Sequence, residues 1–190
     1  MAFFSNLLMQ LDSCPIKGLT MTVREFLQSD TNKAYTPPAV RPPHAPGIYV
    51  GYDPMLVGRM RSEQQRILVL FAQTQALLTT HDYQGVKRKL GELRVTLQDH
   101  LMTANVRFYV YVLRYLAGDA AKSAIINGYR REMLISSRKI MDFLRTYSTA
   151  QFDDDLANTF QVELLVISAA LVERVEREQS SLHPLYQASY

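Results

Sequence analysis

The sequence predicts an all-α protein, an up-down-up-down four-helix bundle behind a proline-rich N-terminal extension. Three observations predict it. After residue 52, apolar residues recur at steps of three and four along four stretches of roughly 25–35 residues, one apolar stripe to each. Short links rich in threonine, aspartate and glycine separate these stretches, as an antiparallel bundle requires. Ahead of them lies TPPAVRPPHAP, whose five prolines between Pro37 and Pro46 suit neither a helix nor a central strand. The 190 residues are enough for one domain with a sizeable core. The expected division is residues 1–50 as extension and 51–186 as bundle.

In the extension, Thr22-Val23-Arg24-Glu25 has the spacing of a capping box for a short helix through Phe26 and Leu27. The proline segment that follows should be extended and partly polyproline-like, acting as a spacer that wraps the bundle. Ile48-Tyr49-Val50 carries a weak strand signal. The first bundle helix should run from Pro54 to Leu78, turning Leu56, Met60, Gln64, Ile67, Phe71 and Leu78 inward. Asp82 should cap the second helix, whose inward positions are Val86, Leu90, Leu93, Leu97, His100, Ala104, Phe108, Tyr111 and Tyr115. Gly118-Asp119 supplies a stop and a new cap. The third helix then steps through Ile126, Tyr129, Met133, Ser136, Ile140 and Phe143. Residues 146–155 connect to the fourth, which steps through Phe160, Leu164, Ile167, Leu171, Arg174, Glu178 and Leu182 before Pro184 ends it. Asp153, Asp154 and Asp155 sit where negative charge suits a helix N-terminus, and capping is preferred there to ion binding.

Composition narrows the function classes. Hydrophobic residues make up 47% and charged residues 21%, as in ordinary soluble domains. No apolar run approaches the ~18 residues that cross a bilayer. The start, MAFFSNLLMQLDSC, lacks a basic region and a cleavage site, so no signal peptide is expected. The single cysteine, Cys14, fits a reducing cytoplasm and reads as an unreactive thiol. No P-loop, GxGxxG, GxSxG or CxxC is present, and no nucleophile–base pair can be assembled, so an enzyme is not expected. The net charge of +3 does not argue for nucleic acid. Charge is unevenly spread, however. The second and third helices each carry six basic residues against three and two acidic ones, and residues 153–181 carry seven acidic against two basic. Attraction between helices within the bundle accounts for this pattern. The exposed alternative is a partner-binding patch at Lys87, Arg88 and Lys89.

Four segments carry a family resemblance: YDPMLVGRMRSEQQRILVLF, then HDYQGVKRKLGELRVTLQDHLMTANVRFYVYVLRYL, YRREMLISSRKIMDFL and RVEREQSSLHPLY. Residues 52–186 resemble the bacterial hemerythrin-like (HHE cation-binding) family. The second segment is the most specific, because the family's second helix reads L-x-x-H-L followed by an acidic residue and an aromatic FY-x-Y run. The resemblance implies a core site of two irons held by histidines from all four helices and by carboxylates four residues beyond a histidine on the second and fourth. Carried onto this chain, the positions are Gln64, His100, Ala104, Met133, Arg174 and Glu178. Only His100 and Glu178 remain ligands, and the other three histidines, His44, His81 and His183, fall outside these positions.

The resemblance therefore implies a degenerate member without a metal cofactor. The expected role is a protein-binding or regulatory module in a bacterial cytoplasm, associated with signalling or transcription. Its partner would be another protein or a further copy of itself, and not a membrane. In the expected core, the Arg174 guanidinium fills the vacated metal space and pairs with Glu178, and His100 and Gln64 complete the network. The competing arrangement has Val175 facing inward and Arg174 on the surface. The competing function is an iron- or oxygen-sensing site built from His100, Glu178, Glu63 and Glu132. Phe108, Tyr109, Tyr111 and Tyr115 are read as core rather than as a stacking platform.

Overall fold

The computed structural model describes residues 50–188. The predicted helix at Thr22–Leu27, the proline segment, Cys14 and His44 lie outside the described residues, as does most of the weak strand signal. Four helical rods make up the described chain. The first is α1, Leu56–Thr79. The second begins as α2, Tyr83–Thr103, passes through a π-helical segment at Ala104–Phe108 and finishes as α3, Tyr109–Tyr115. The third is α4, Ala120–Thr149. The fourth is α5, Asp154–Arg177, which continues through a π segment at Glu178–Leu182 into a 3₁₀ turn at His183–Leu185.

Each rod starts and stops where the residues dictate. Asp82, Asp119 and Asp153 each accept a hydrogen bond from the backbone N–H three residues on, at 2.8–2.9 Å, satisfying a donor that the first helical turn leaves free. At the end of α1 the N–H of Asp82 reaches the carbonyl of Leu77 and that of His81 reaches Leu78. This closure needs a left-handed residue, and His81 supplies it at φ 57°. Links of three or four residues then make successive rods antiparallel. α1 packs on α2 and on α5, α2 packs on α4, and α3 packs on α4. α4 and α5 meet mainly through long side chains, among them Phe143 stacked on Phe160 at 5.3 Å.

The core divides into two apolar clusters. One fills the end of the bundle nearest the α1–α2 link and contains Leu90, Leu93, Leu144, Phe160 and Leu164. The other fills the opposite end around Leu56, Met60, Phe108, Ile126 and Leu182. The C-terminal tail closes this second end. Tyr186 stacks on Phe108 and Tyr52, and its hydroxyl accepts the Asp53 N–H at 2.8 Å. Tyr111 donates its hydroxyl to the Gln187 carbonyl at 2.7 Å.

Two sequence expectations need correction. Tyr115 was placed inward but is 42% exposed, because the π segment rotates the residues beyond it. The fourth rod does contain a stretch apolar enough, by length and composition, to cross a bilayer, with mean hydropathy 1.4. Half of that stretch is buried in the bundle, which is the environment of a core helix.

Candidate functional site

Between the two apolar clusters lies a polar layer, and five of the six positions singled out in the sequence meet there. Gln64, His100, Met133, Arg174 and Glu178 line one cavity of about 30 Å³, together with Ser137 and an apolar rim that includes Ile67, Leu97 and Ile140. That is room for one or two water molecules. Ala104, the sixth, is fully buried one helical turn beyond His100 and opens the π segment of the second rod.

The centre of the layer is an ion pair within one turn of the fourth rod. Arg174 donates to Oε1 of Glu178 from Nε at 2.8 Å and from its second terminal nitrogen at 2.7 Å. Its remaining nitrogen reaches the Ser136 hydroxyl and the Glu132 carbonyl, the latter at 3.4 Å. The other carboxylate oxygen of Glu178 accepts from the Gln64 amide at 2.8 Å, and Gln64 in turn accepts from Gln179 at 3.0 Å. The side chains of Glu178 and Arg174 are 6% and 13% exposed. Each oxygen of the buried carboxylate therefore has a donor, and three rods are tied through it.

Arg174 and Val175 are both inside, so the two arrangements that the sequence left open are not alternatives: Val175 packs into the first cluster while Arg174 spans the layer. His100 departs from the expected network. Its Nδ1 faces the Glu63 carboxylate at 3.0 Å, linking α2 to α1 beside the Arg174–Glu178 pair rather than through it. Glu132 contributes only its backbone to the layer. Its side chain lies at the surface and pairs with Arg177 at 2.9 Å. The four residues of the sensing alternative are thus split into a His100–Glu63 pair, a Glu178 occupied by Arg174 and Gln64, and an outward Glu132. Among the described residues no three of histidine, cysteine, aspartate and glutamate converge as a metal site.

Two buried groups stand near Glu178: His183, which escaped the sequence reading, and Tyr109, read there as core and found in it. His183 is 3% exposed, touches Phe108 at 5.8 Å and lies 3.5 Å from Nε of Arg61. Burial pushes its pKa down to about 4, against an opposing pull from Glu178 and with help from Arg61 and His100. Tyr109 is 1% exposed, and burial, reinforced by Glu178, raises its hydroxyl well above the ordinary phenol range. Neither Nε2 of His183 nor the Tyr109 hydroxyl has a hydrogen-bond partner among the described residues. Both follow a π segment by geometry. A step of five residues turns away from the core in an α-helix but back toward it in the wider π turn, as from Ala104 to Tyr109 and from Glu178 to His183. No residue type in the sequence announces those turns.

The basic patch on α2 is largely spent within its own helix. Lys89 contacts both oxygens of Glu92 at 2.9–3.0 Å, Arg88 lies 3.8 Å from Asp82, and Lys87 is half-buried. Comparison of the chain with protein-family models, with curated proteins and with solved structures finds no match.

Proposed function

We propose that this chain is a metal-free bundle of hemerythrin-like type in which an arginine–glutamate pair has taken the place of a metal centre, and that it works as a protein-binding or regulatory module. The observation that supports this reading is the guanidinium of Arg174, held by Glu178, Ser136 and the Glu132 carbonyl where the resemblance would place a metal. A fixed positive charge repels a cation from the same space, and Glu178 is already satisfied by Arg174 and Gln64. A core closed in this way leaves the outer surface as the functional part. Of the basic patch, Arg88 is the most accessible residue for a partner, with 70% of its side chain exposed.

One observation favours a second reading. A carboxylate on one imidazole nitrogen is the arrangement that orients a histidine toward a metal on the other, and Glu63 stands in that relation to His100. An iron- or oxygen-sensing site of reduced ligand number would use that pair with Glu178.

Metal analysis of the full chain, expressed with added iron, separates the two readings. The metal-free module should carry well under one iron per chain and be indifferent to His100→Ala. Roughly one iron per chain, lost on His100→Ala, would overturn it and establish the sensor.

A further inference from the structure

The outer face of the second rod carries an apolar stripe opposite the side packed into the core. Val95, Met102, Val106 and Val110 are 58%, 67%, 46% and 37% exposed, at steps of seven, four and four. They extend along about 22 Å of helix. Other exposed apolar residues, such as Val69 on α1 and Ile125 on α4, are scattered singly and call for no explanation. The charges beside the stripe are divided along it: Glu92 and Asp99 lie toward its N-terminal half, with one exposed basic residue, Arg94, among them, and Arg107 and Arg114 lie toward its C-terminal half. Among the described residues Asp99 and Arg114 enter no ion pair. Arg107 reaches Asp53 only at 3.7 Å with half its side chain exposed.

We propose that this stripe is a self-association surface on which two copies of the chain pair their second rods antiparallel about a two-fold axis near Thr103. The charge order selects the partner and its direction. A two-fold at that point sets Asp99 against Arg107 of the second copy and Arg114 against Glu92, a carboxylate it shares with Lys89, each contact occurring twice. It also brings Val95 beside Val110 of the second copy and the two Met102 side chains together at the axis, where a flexible thioether fills an irregular gap. A parallel pair would set Asp99 on Asp99 and Arg114 on Arg114, like on like, and is disfavoured. The contact is narrow, one helix from each copy, which fits a dimer that dissociates at micromolar concentration rather than an obligate one.

Sedimentation equilibrium of the full chain between roughly 1 and 100 μM tests this. The parent should show a monomer–dimer equilibrium. Asp99→Arg and Arg107→Glu should each weaken it about tenfold, because each turns two attractive contacts repulsive. An equimolar mixture of the two variants should recover dimer, since in the mixed pair every contact is again between opposite charges. Glu92→Arg mixed with Arg114→Glu repeats the test on the second charge pair, should a variant at Arg107 fail to fold. A parent that stays monomeric at 100 μM overturns the proposal. So does a dimer that is indifferent to the single changes, or a mixture that does not recover. A monomeric parent in which Met102 resists peroxide would instead assign the stripe to residues 1–49.

Discussion

Toward the α1–α2 link, the rods meet through Val86, Leu90, Leu93, Leu144 and Phe160, whose exposure is zero. One helical level away, at Gln64, the first, third and fourth rods meet through a guanidinium, a carboxylate and two amides. The first level gains free energy simply by leaving water, at about 25 cal/mol per Å² of apolar surface, and tolerates any side chain of the right volume. The second level must first recover the cost of desolvating two charges, and its attraction depends on every donor finding its acceptor. The apolar level makes the bundle stable, while the polar level fixes which faces of α1, α4 and α5 can meet.

Single truncations at the two levels should cost similar amounts for different reasons. Phe160→Ala should lose about 4 kcal/mol of unfolding free energy through lost burial and a residual cavity. Arg174→Ala should lose about 3 kcal/mol because Glu178 is left charged and half-satisfied in the core. Urea denaturation measures both. An Arg174→Ala protein as stable as the parent would mean that Arg174 lies at the surface.

Replacement of the whole layer sharpens the contrast. Gln64→Leu, Arg174→Met and Glu178→Leu together remove the charges along with their desolvation cost, and the triple variant should be within about 1 kcal/mol of the parent or more stable. No comparable rescue exists for Phe160→Ala, since nothing uncompensated was buried there. If the triple variant were instead 3 kcal/mol less stable than the parent, the ion pair would itself be a net source of stability.

Those two levels also differ in how far the sequence reveals them. Every apolar position expected inward on the first and fourth rods is buried, because steps of three and four translate directly into a helix face. The three aspartate caps were equally legible. The polar layer was legible in composition, since Gln64, His100, Arg174 and Glu178 interrupt otherwise apolar stripes, and a polar residue in such a stripe needs a partner. Its wiring was not. Whether His100 joins Glu178 or Glu63 depends on rotamers and on the rotation of α1 against α2, which leave no mark on residue spacing. The π segments are harder still: one extra residue in a turn shifts the inward positions beyond it, as the exposed Tyr115 and the buried His183 show.

His183 provides the weakest but most selective probe of the boundary between layer and core. Its imidazole is held neutral in the fold by burial, with a pKa near 4, against an unfolded value near 6.5. The unfolded chain therefore binds the proton first as pH falls. Stability is complete above about pH 6.5 and declines toward pH 4, at about 1.4 kcal/mol per pH unit at most. Carboxylates titrate near the lower end of that range, so the readout is the difference between the parent and His183→Leu, not the parent alone. Leucine removes both the titration and a buried nitrogen that lacks a partner, so the variant should match the parent at pH 7 and gain on it steadily down to pH 4.5. A constant difference between pH 7 and 4.5 would mean that His183 can reach water in the folded state. The π turn would then bring the ring only to the rim of the second apolar cluster, and the polar layer would be open to solvent on that side.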